Sequence, residues 1–343
     1  LGDNMPSGSS YTVSGGTTMT GVATGDTIED GDFNNMRTNV NTLMGSAADV
    51  TTGTYTASST YGWGQGGAGV NAASASGLIY ADNATGGFKR LQDDIQAMCA
   101  FLGVSVRSGV GSDVADGGTI SATTWTNSML NVQDCWNARF SPASRTAATG
   151  NSKTYTSAWA NSLSATATYT FANEAACRGY FNGGGRIGFS ASRSGGSSTT
   201  QNTNWTDTLS AMGDVALLHD TGAGSSGTNA GNGFYELTTS YKTIWTKFGS
   251  GSYASNFFKM EALVNSTTNP TVVTLRATFS DPHAEGSGAL GPDGVAGTGD
   301  EDFNNDGIDG TITLNGRTST PDASGSGFSF SAPTVAVGTI SGS

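Results

Sequence analysis

Charge is what this sequence has least of. Only 12% of the residues are Asp, Glu, Lys or Arg, against 51 glycines in 343 residues, and Ser, Thr, Asn and Ala fill the difference. A helical enzyme draws on Leu, Glu, Lys and Arg in quantity, whereas small hydroxylated residues suit pleated surfaces and tight turns. The composition therefore predicts a mainly β chain. Its 15 basic residues form no cluster and the formal net charge is −12. Nothing is provided to neutralise phosphates, so no nucleic-acid partner is expected.

Cysteine is scarce as well. Cys99, Cys135 and Cys177 are odd in number, lack a C-x-x-C spacing and stand among apolar residues. They read as small buried hydrophobes, and neither a disulfide framework nor a zinc site is expected. No apolar run reaches the roughly 18 residues that cross a bilayer, so no membrane span is expected. The opening LGDNMPSGSS has neither the charged nor the apolar region of a signal peptide.

What is present changes period along the chain. In GDTIEDGDFNNMRTNVNTLMG, residues Phe33, Met36, Val40 and Leu43 recur on one helical face after an acidic entry at Asp30–Asp32. In GGFKRLQDDIQAMCAFLG the face is Phe88, Leu91, Ile95, Met98 and Leu102, with Gly103 placed to cap the C-terminus. A third segment, GGTISATTWTNSMLNVQDCWNARF, aligns with the first when Trp125 is matched to Phe33, which also matches Ile120 to Ile28, Asn127 to Asn35 and Val132 to Val40. Two readings stand, an internal repeat and two unrelated amphipathic helices. Between the first two helices, Tyr55, Tyr61 and Trp63 lie in Gly, Ser and Thr, which reads as an extended ribbon pinned by its aromatics rather than a sugar-stacking platform.

From about residue 150 the period is two. KTYTSAWANSLSATATYTF, GRIGFSAS, DVALLHD, YKTIWTKF, FFKMEALV, TVVTLRATFS, GTITL and GFSFSAPTVAV read as strands, with Ile187 and Phe189, or Ile244 and Thr246, alternating. ANEAACRGYF and TNWTDTLSAMG read as short helices. The fold class expected is mainly β with a helical N-terminal part (α+β) and an antiparallel, sandwich-like C-terminal region. Its parts are a helical and extended assembly region over 1–149, a β-rich domain over 150–285, and an acidic Gly-rich loop with closing strands over 286–343.

The stretch RGYFNGGGRIGFSASRSGGSSTTQNTNWTDTLSAMG, followed by GFYELTTSYKTIWTKFGSGSYASNFFKMEA and VTLRATFSDP, resembles virion structural, tail- or fibre-like proteins of tailed phages infecting marine cyanobacteria. The likeness rests on a Phe-Asn-Gly-Gly turn, a strand ending Ser-Ala-Ser-Arg, an Asn-x-x-Trp helix, and the Leu-Thr-Thr-x-Tyr and Ile-x-Thr-Lys strand. It covers roughly residues 170 to 282 and, more loosely, the Asn-Asn-Met-Arg-Thr-x-Val segment at Asn34–Val40. It implies residence in a phage particle and transfers no catalytic residue. The segment from Gly286 to Gly299 departs from the family pattern.

Several motifs carry chemistry of their own. Asp302, Asn304, Asp306 and Gly307 reproduce the first half of a calcium loop, D-x-[DN]-x-[DN]-G, with the Ile308 carbonyl and the Asp309 carboxylate as further oxygens. Thr313 stands where the bidentate Glu belongs, so a possible calcium site competes with a solvated hairpin turn. Gly183, Gly185 and Gly188 satisfy G-x-G-x-x-G, yet they follow a helix and enter a strand, the reverse of a dinucleotide fold. His219 and His283 have neither a nucleophile elbow nor zinc-hydrolase spacing. Asp207, Asp214, Glu236 and Glu261 are the carboxylates a glycosidase would need in pairs, and they are scattered in sequence. Phe234, Tyr235, Trp245, Phe257 and Phe258 read as core.

The expected function is that of a non-enzymatic virion structural protein that assembles with copies of itself and with other virion proteins at the tail, fibre or outer shell, requiring no cofactor. Alternatives are a host-surface glycan-binding adhesin, with or without calcium; a polysaccharide depolymerase; and an extracellular bacterial surface or filament protein.

Overall fold

The computed structural model describes residues 10–12, 18–20, 28, 30–45, 60–61, 65–66, 87–111, 119–282, 307–322 and 330–342. The chain divides into two compact units. One comprises Leu1–Thr146, Asn173–Gly185 and Thr320–Ser331, the other Ala147–Ala172, Arg186–Ser319 and Ala332–Ser343. The first boundary falls three residues before the expected 149. Two later stretches, 173–185 and 320–331, join the helices rather than the strands, which the linear three-part reading did not foresee.

The first unit holds α1 (Asp30–Gly45), α2 (Gly87–Leu102) and α3 (Ala122–Ala138), with the short antiparallel pairs β1 (Ser10–Thr12) with β2 (Thr18–Thr20) and β3 (Thr60–Tyr61) with β4 (Gln65–Gly66). The apolar stripes meet in one core: Phe33, Met36, Val40 and Leu43 from α1, Phe88, Leu91, Ile95 and Met98 from α2, and Trp125, Met129, Val132 and Cys135 from α3. Burying such large side chains contributes about 1.5–3 kcal/mol apiece, which helices of this length need because they are marginal alone. Ser121 caps α3 by accepting the Thr124 N–H at 3.0 Å. Gly103 ends α2 at φ +67° while the Val104 N–H reaches back to the Cys99 carbonyl at 2.8 Å, the left-handed C-terminal cap that glycine permits. Of the matched pairs, Phe33 with Trp125 and Val40 with Val132 are buried in both helices, whereas Asn35 with Asn127 and Ile28 with Ile120 are half-buried. A further helix, α4 (Glu174–Asn182), is capped by the Asn173 side chain.

The second unit carries two sheets. Its strands are β5 (Arg145–Tyr155), β6 (Asn161–Thr170), β7 (Arg186–Ser194), β8 (Val215–Leu217), β9 (Gly222–Ala223), β10 (Thr228–Asn229), β11 (Lys242–Phe248), β12 (Phe257–Val264), β13 (Val272–Asp281), β14 (Thr311–Pro321), β15 (Thr334–Val337) and β16 (Ser341–Gly342), and α5 (Thr200–Met212) follows β7. One sheet has seven strands in the order β10-β11-β12-β13-β6-β15, with β16 also on β6; the other runs β5-β14-β7-β8-β9. The chain is thus mainly β and antiparallel, with helices.

Period-two sequence becomes one buried face per sheet. Leu163, Ala165, Ala167 and Tyr169 of β6 lie inward beside Val273, Leu275, Ala277 and Phe279 of β13. Phe258 of β12 meets its register partner Phe279 edge-on at 5.2 Å. The alternation expected at Ile244 and Thr246 fails, because Ile244 and Trp245 are both buried. A register shift between Thr243 and Trp245 turns consecutive side chains inward there.

The buried faces of the two sheets touch. Tyr169 Oη donates to the Gly188 carbonyl at 2.5 Å and accepts the Arg317 N–H at 3.3 Å. Gly150 and Gly316 face Val335 so closely that a Cβ at either would crowd its methyl group. Trp205 of α5 lies 5.3 Å from Trp159 and 6.2 Å from Phe279, ring centre to ring centre.

Candidate functional site

The sequence pointed first to the acidic segment before β14. Asp302, Asn304 and Asp306 lie outside the described residues. Ile308 exchanges both backbone hydrogen bonds with Trp159, at 2.8 and 3.0 Å. Asp309 is already committed: its carboxylate accepts from the Ser197 N–H at 2.9 Å, the Ser197 hydroxyl at 3.0 Å, Arg193 Nη2 at 3.0 Å and Asn202 Nδ2 at 2.5 Å. The Ser197 N–H, then its hydroxyl, Asn202 and Arg193, hold the Asp309 carboxyl below the usual range against a smaller cost of burial. A cation there would have to share these oxygens with a guanidinium. The group fits a structural fastening better than a metal ligand.

Arg193 completes that fastening. It is 8% exposed, and besides Asp309 it donates to the Asn202 carbonyl at 3.3 Å and Thr206 Oγ1 at 3.2 Å. Strand β7, helix α5 and the entry to β14 are thereby tied at one point.

On the outer face of the five-stranded sheet lies a groove of about 340 Å³. Its floor is small, with Gly188, Ala216 and Ala223, and its walls carry Arg186, Arg317, Ser319, Ser225 and Asp214. The register explains the gathering. Ser319 pairs with Arg186 and Arg317 with Gly188, so alternate residues of β7 and β14 face the same way. Arg317 Nη2 sits 2.9 Å from Asp214 Oδ2, and Asp214 is more than half exposed. The groove can accept hydroxyl or carboxylate oxygens at two guanidinium groups and two serine hydroxyls.

The groove reaches Ala147, on β5, at the margin of the sheet. Among the described residues β5 has one hydrogen-bonded strand neighbour, β14. Residues 146–148 and 151–154 are exposed. Such a margin presents a row of N–H and C=O groups to whatever lies beside it.

The remaining sequence candidates have local tasks. Asp214 pairs with Arg317; Glu236 accepts the Gly233 N–H at 2.8 Å; Glu261 is 7% exposed, between Arg276 at 2.7 Å and Lys259 at 3.1 Å. Asp207 lies on α5. His219 Nε2 is 3.3 Å from its neighbour Asp220, and His283 lies outside the described residues, as do Tyr55 and Trp63. Gly183 and Gly185 follow α4 and precede β7, the order that offers no helix N-terminus to a pyrophosphate. Phe234, Trp245 and Phe258 are buried, whereas Phe257 is half-buried. No helix among the described residues is long and apolar enough to cross a membrane.

The comparisons with protein-family models, curated proteins and solved structures found no match. The margin β5 and the groove escaped the sequence reading. The first half of β5, RTAATGN, has no large apolar residue to mark its period, and the groove is made by register across strands far apart in sequence.

Proposed function

We propose that this chain is a non-catalytic structural protein of a phage particle, a helical part followed by an antiparallel β-sandwich, which assembles with copies of itself through β5. The carrying observation is the eleven-residue margin of the five-stranded sheet, exposed over most of its length and, between Arg145 and Lys153, built of small uncharged residues. Strand addition across it supplies main-chain hydrogen bonds without desolvating many ions. An antiparallel pair of β5 strands centred on Gly150 sets Thr146 opposite Thr154, Ala147 opposite Lys153 and Ala148 opposite Ser152. No like charges face each other, and the contact closes on a two-fold axis.

The resemblance in the body of the chain supports the same reading. Its motif residues serve the architecture: Arg193 and Asn202 belong to the Asp309 fastening, Trp205 to the core, and the Phe181-Asn182-Gly183-Gly184 turn ends α4.

The test is the mass of the purified chain in solution by sedimentation, with an A148K/S152K variant that sets lysines against lysines in that pair. We expect a concentration-dependent oligomer that the variant dissociates while its circular dichroism is unchanged. A strictly monomeric chain, or an oligomer indifferent to the variant, overturns the β5 contact. Quantitative mass spectrometry of purified particles tests residence, and presence only at contaminant level overturns it.

The groove favours one second reading, recognition of a host-surface glycan through Arg186 and Arg317. Glycan arrays with and without chelator separate it from scaffold: saccharide binding lost in an Arg317→Ala variant supports recognition, dependence on chelator adds calcium, and silence in every condition overturns it.

A further inference from the structure

The helical unit brings together two cysteines that the sequence holds 36 residues apart. Cys99 Sγ of α2 and Cys135 Sγ of α3 lie 3.5 Å from one another, both fully buried. Their closeness is fixed by neighbours on either side. Gln92 Nε2 donates to Ser128 Oγ at 2.7 Å, again across 36 residues. The two rungs are therefore a heptad apart on both helices, so α2 and α3 run in parallel with their registers locked. Beyond the sulfurs, Arg107 donates to Asp134 at 2.8 and 3.0 Å and its N–H to Asn131 Oδ1 at 2.9 Å, tying the exit of α2 to α3 beside Cys135. Phe88 stacks on Trp125 at the other end, with ring centres 6.3 Å apart.

We propose that Cys99 and Cys135 form a site of oxidative cross-linking that joins α2 covalently to α3. The sulfurs need close by less than a van der Waals gap to reach a bond of about 2.05 Å. The Cys135 S–H bond to Cys99 favours the Cys99 thiolate, with Arg107 adding to it, while burial and the nearby Asp134 charge oppose. Cys99 is the attacking sulfur. With hydrogen peroxide as oxidant, the Cys99 thiolate displaces hydroxide from the peroxide, giving a sulfenic acid. The Cys135 sulfur then attacks Cys99, the S–S bond forms, the S–O bond breaks and the second oxygen leaves as water. Two thiols lose two hydrogens in all, and one peroxide becomes two waters. Both sulfurs are fully buried, so a small oxidant reaches them through local opening of the helices. Cys177, also fully buried, has its thiol pushed well up by burial and is the internal control. In an oxidising setting outside the cell the cross-link is the stable form.

The experiment treats the reduced full chain with hydrogen peroxide, removes the excess with catalase, and unfolds the protein in N-ethylmaleimide for intact-mass and peptide analysis. One maleimide per chain is expected where the untreated chain takes three, with the cross-linked peptides containing Cys99 and Cys135. Cys177→Ala keeps the cross-link and Cys135→Ala abolishes it. Retention of three reactive thiols, addition of oxygen at Cys99 without a cross-link, or cross-links shared with Cys177 would each overturn the proposal. Should Cys135→Ala fail to fold, the peptide map of the unaltered chain decides alone.

Discussion

Arg193 and Asp309 stand 116 residues apart in the chain and meet twice, Nη2 to Oδ1 at 3.0 Å and Nε to the main-chain carbonyl at 2.8 Å. The second bond places backbone under the same guanidinium that grips the carboxylate. Arg193 thereby fixes where the chain enters β14 as well as where α5 leaves β7. Replacing Arg193 with Ala strips Asp309, Asn202 and Thr206 of donors at once. The loss is expected to be about 2–3 kcal/mol, since hydrogen bonds to charged groups are the stronger ones and Asp309 can partly resolvate. Arg193→Lys recovers little because an ammonium cannot reproduce the fork. Urea denaturation followed by circular dichroism measures both variants.

The same carboxylate makes stability depend on acid. Its folded-state pKa lies below the unfolded one, chiefly through the Ser197 N–H. Its contribution is therefore complete above the unfolded value of about 3.9 and fades as pH falls through the folded value. Asp309→Asn removes the titrating group, so the variant should lose less stability than the unaltered chain between neutral pH and about pH 3. Urea midpoints at the two pH values check this; parallel losses in both proteins would assign the acid sensitivity elsewhere.

Much of this architecture was legible in the sequence, for identifiable reasons. The stripes Phe33 to Leu43 and Phe88 to Leu102 announce helices because apolar residues at a 3.6-residue spacing line up on a single face only when the chain is helical. Strand β12 coincides with FFKMEALV and β13 lies one residue from its expected bounds. What was hidden depends on contacts that local pattern does not encode. The bulge at Thr243–Trp245 shows as two adjacent apolar residues, which a strict alternation cannot place. Asp309 looked like part of a calcium loop because Asp-rich turns and calcium loops share a vocabulary; its tie to Arg193 is made by topology. The Cys99–Cys135 approach follows from a parallel helix register that no cysteine spacing reveals.

Trp205 carries the core beneath α5. It is 1% exposed and touches both Trp159 and Phe279. Trp205→Ala leaves a cavity in a place where two rings lose their partner, with an expected cost of about 3–5 kcal/mol. Trp205→Phe should cost less and retain an aromatic contact. Unfolding curves give the magnitude, and near-ultraviolet circular dichroism reports whether the Trp159 environment is lost in Trp205→Ala alone.

Tyr169 offers the sharpest test of how the sheets are joined. Its hydroxyl stands between the register partners Gly188 and Arg317, donating to one and accepting from the other. The ring stem belongs to β6, in the other sheet, and the residue is fully buried. Tyr169→Phe keeps the ring and its packing but leaves the buried Gly188 carbonyl and the half-buried Arg317 N–H without that partner. Because orphaned groups cost more than a hydrogen bond gains, the expected loss is about 1–3 kcal/mol. The variant discriminates two accounts of the contact. If apolar burial alone holds the sheets together, the loss will be near zero. If the hydroxyl is a polar peg, stability falls and hydrogen exchange at the Arg317 amide accelerates more than at its neighbours in β14.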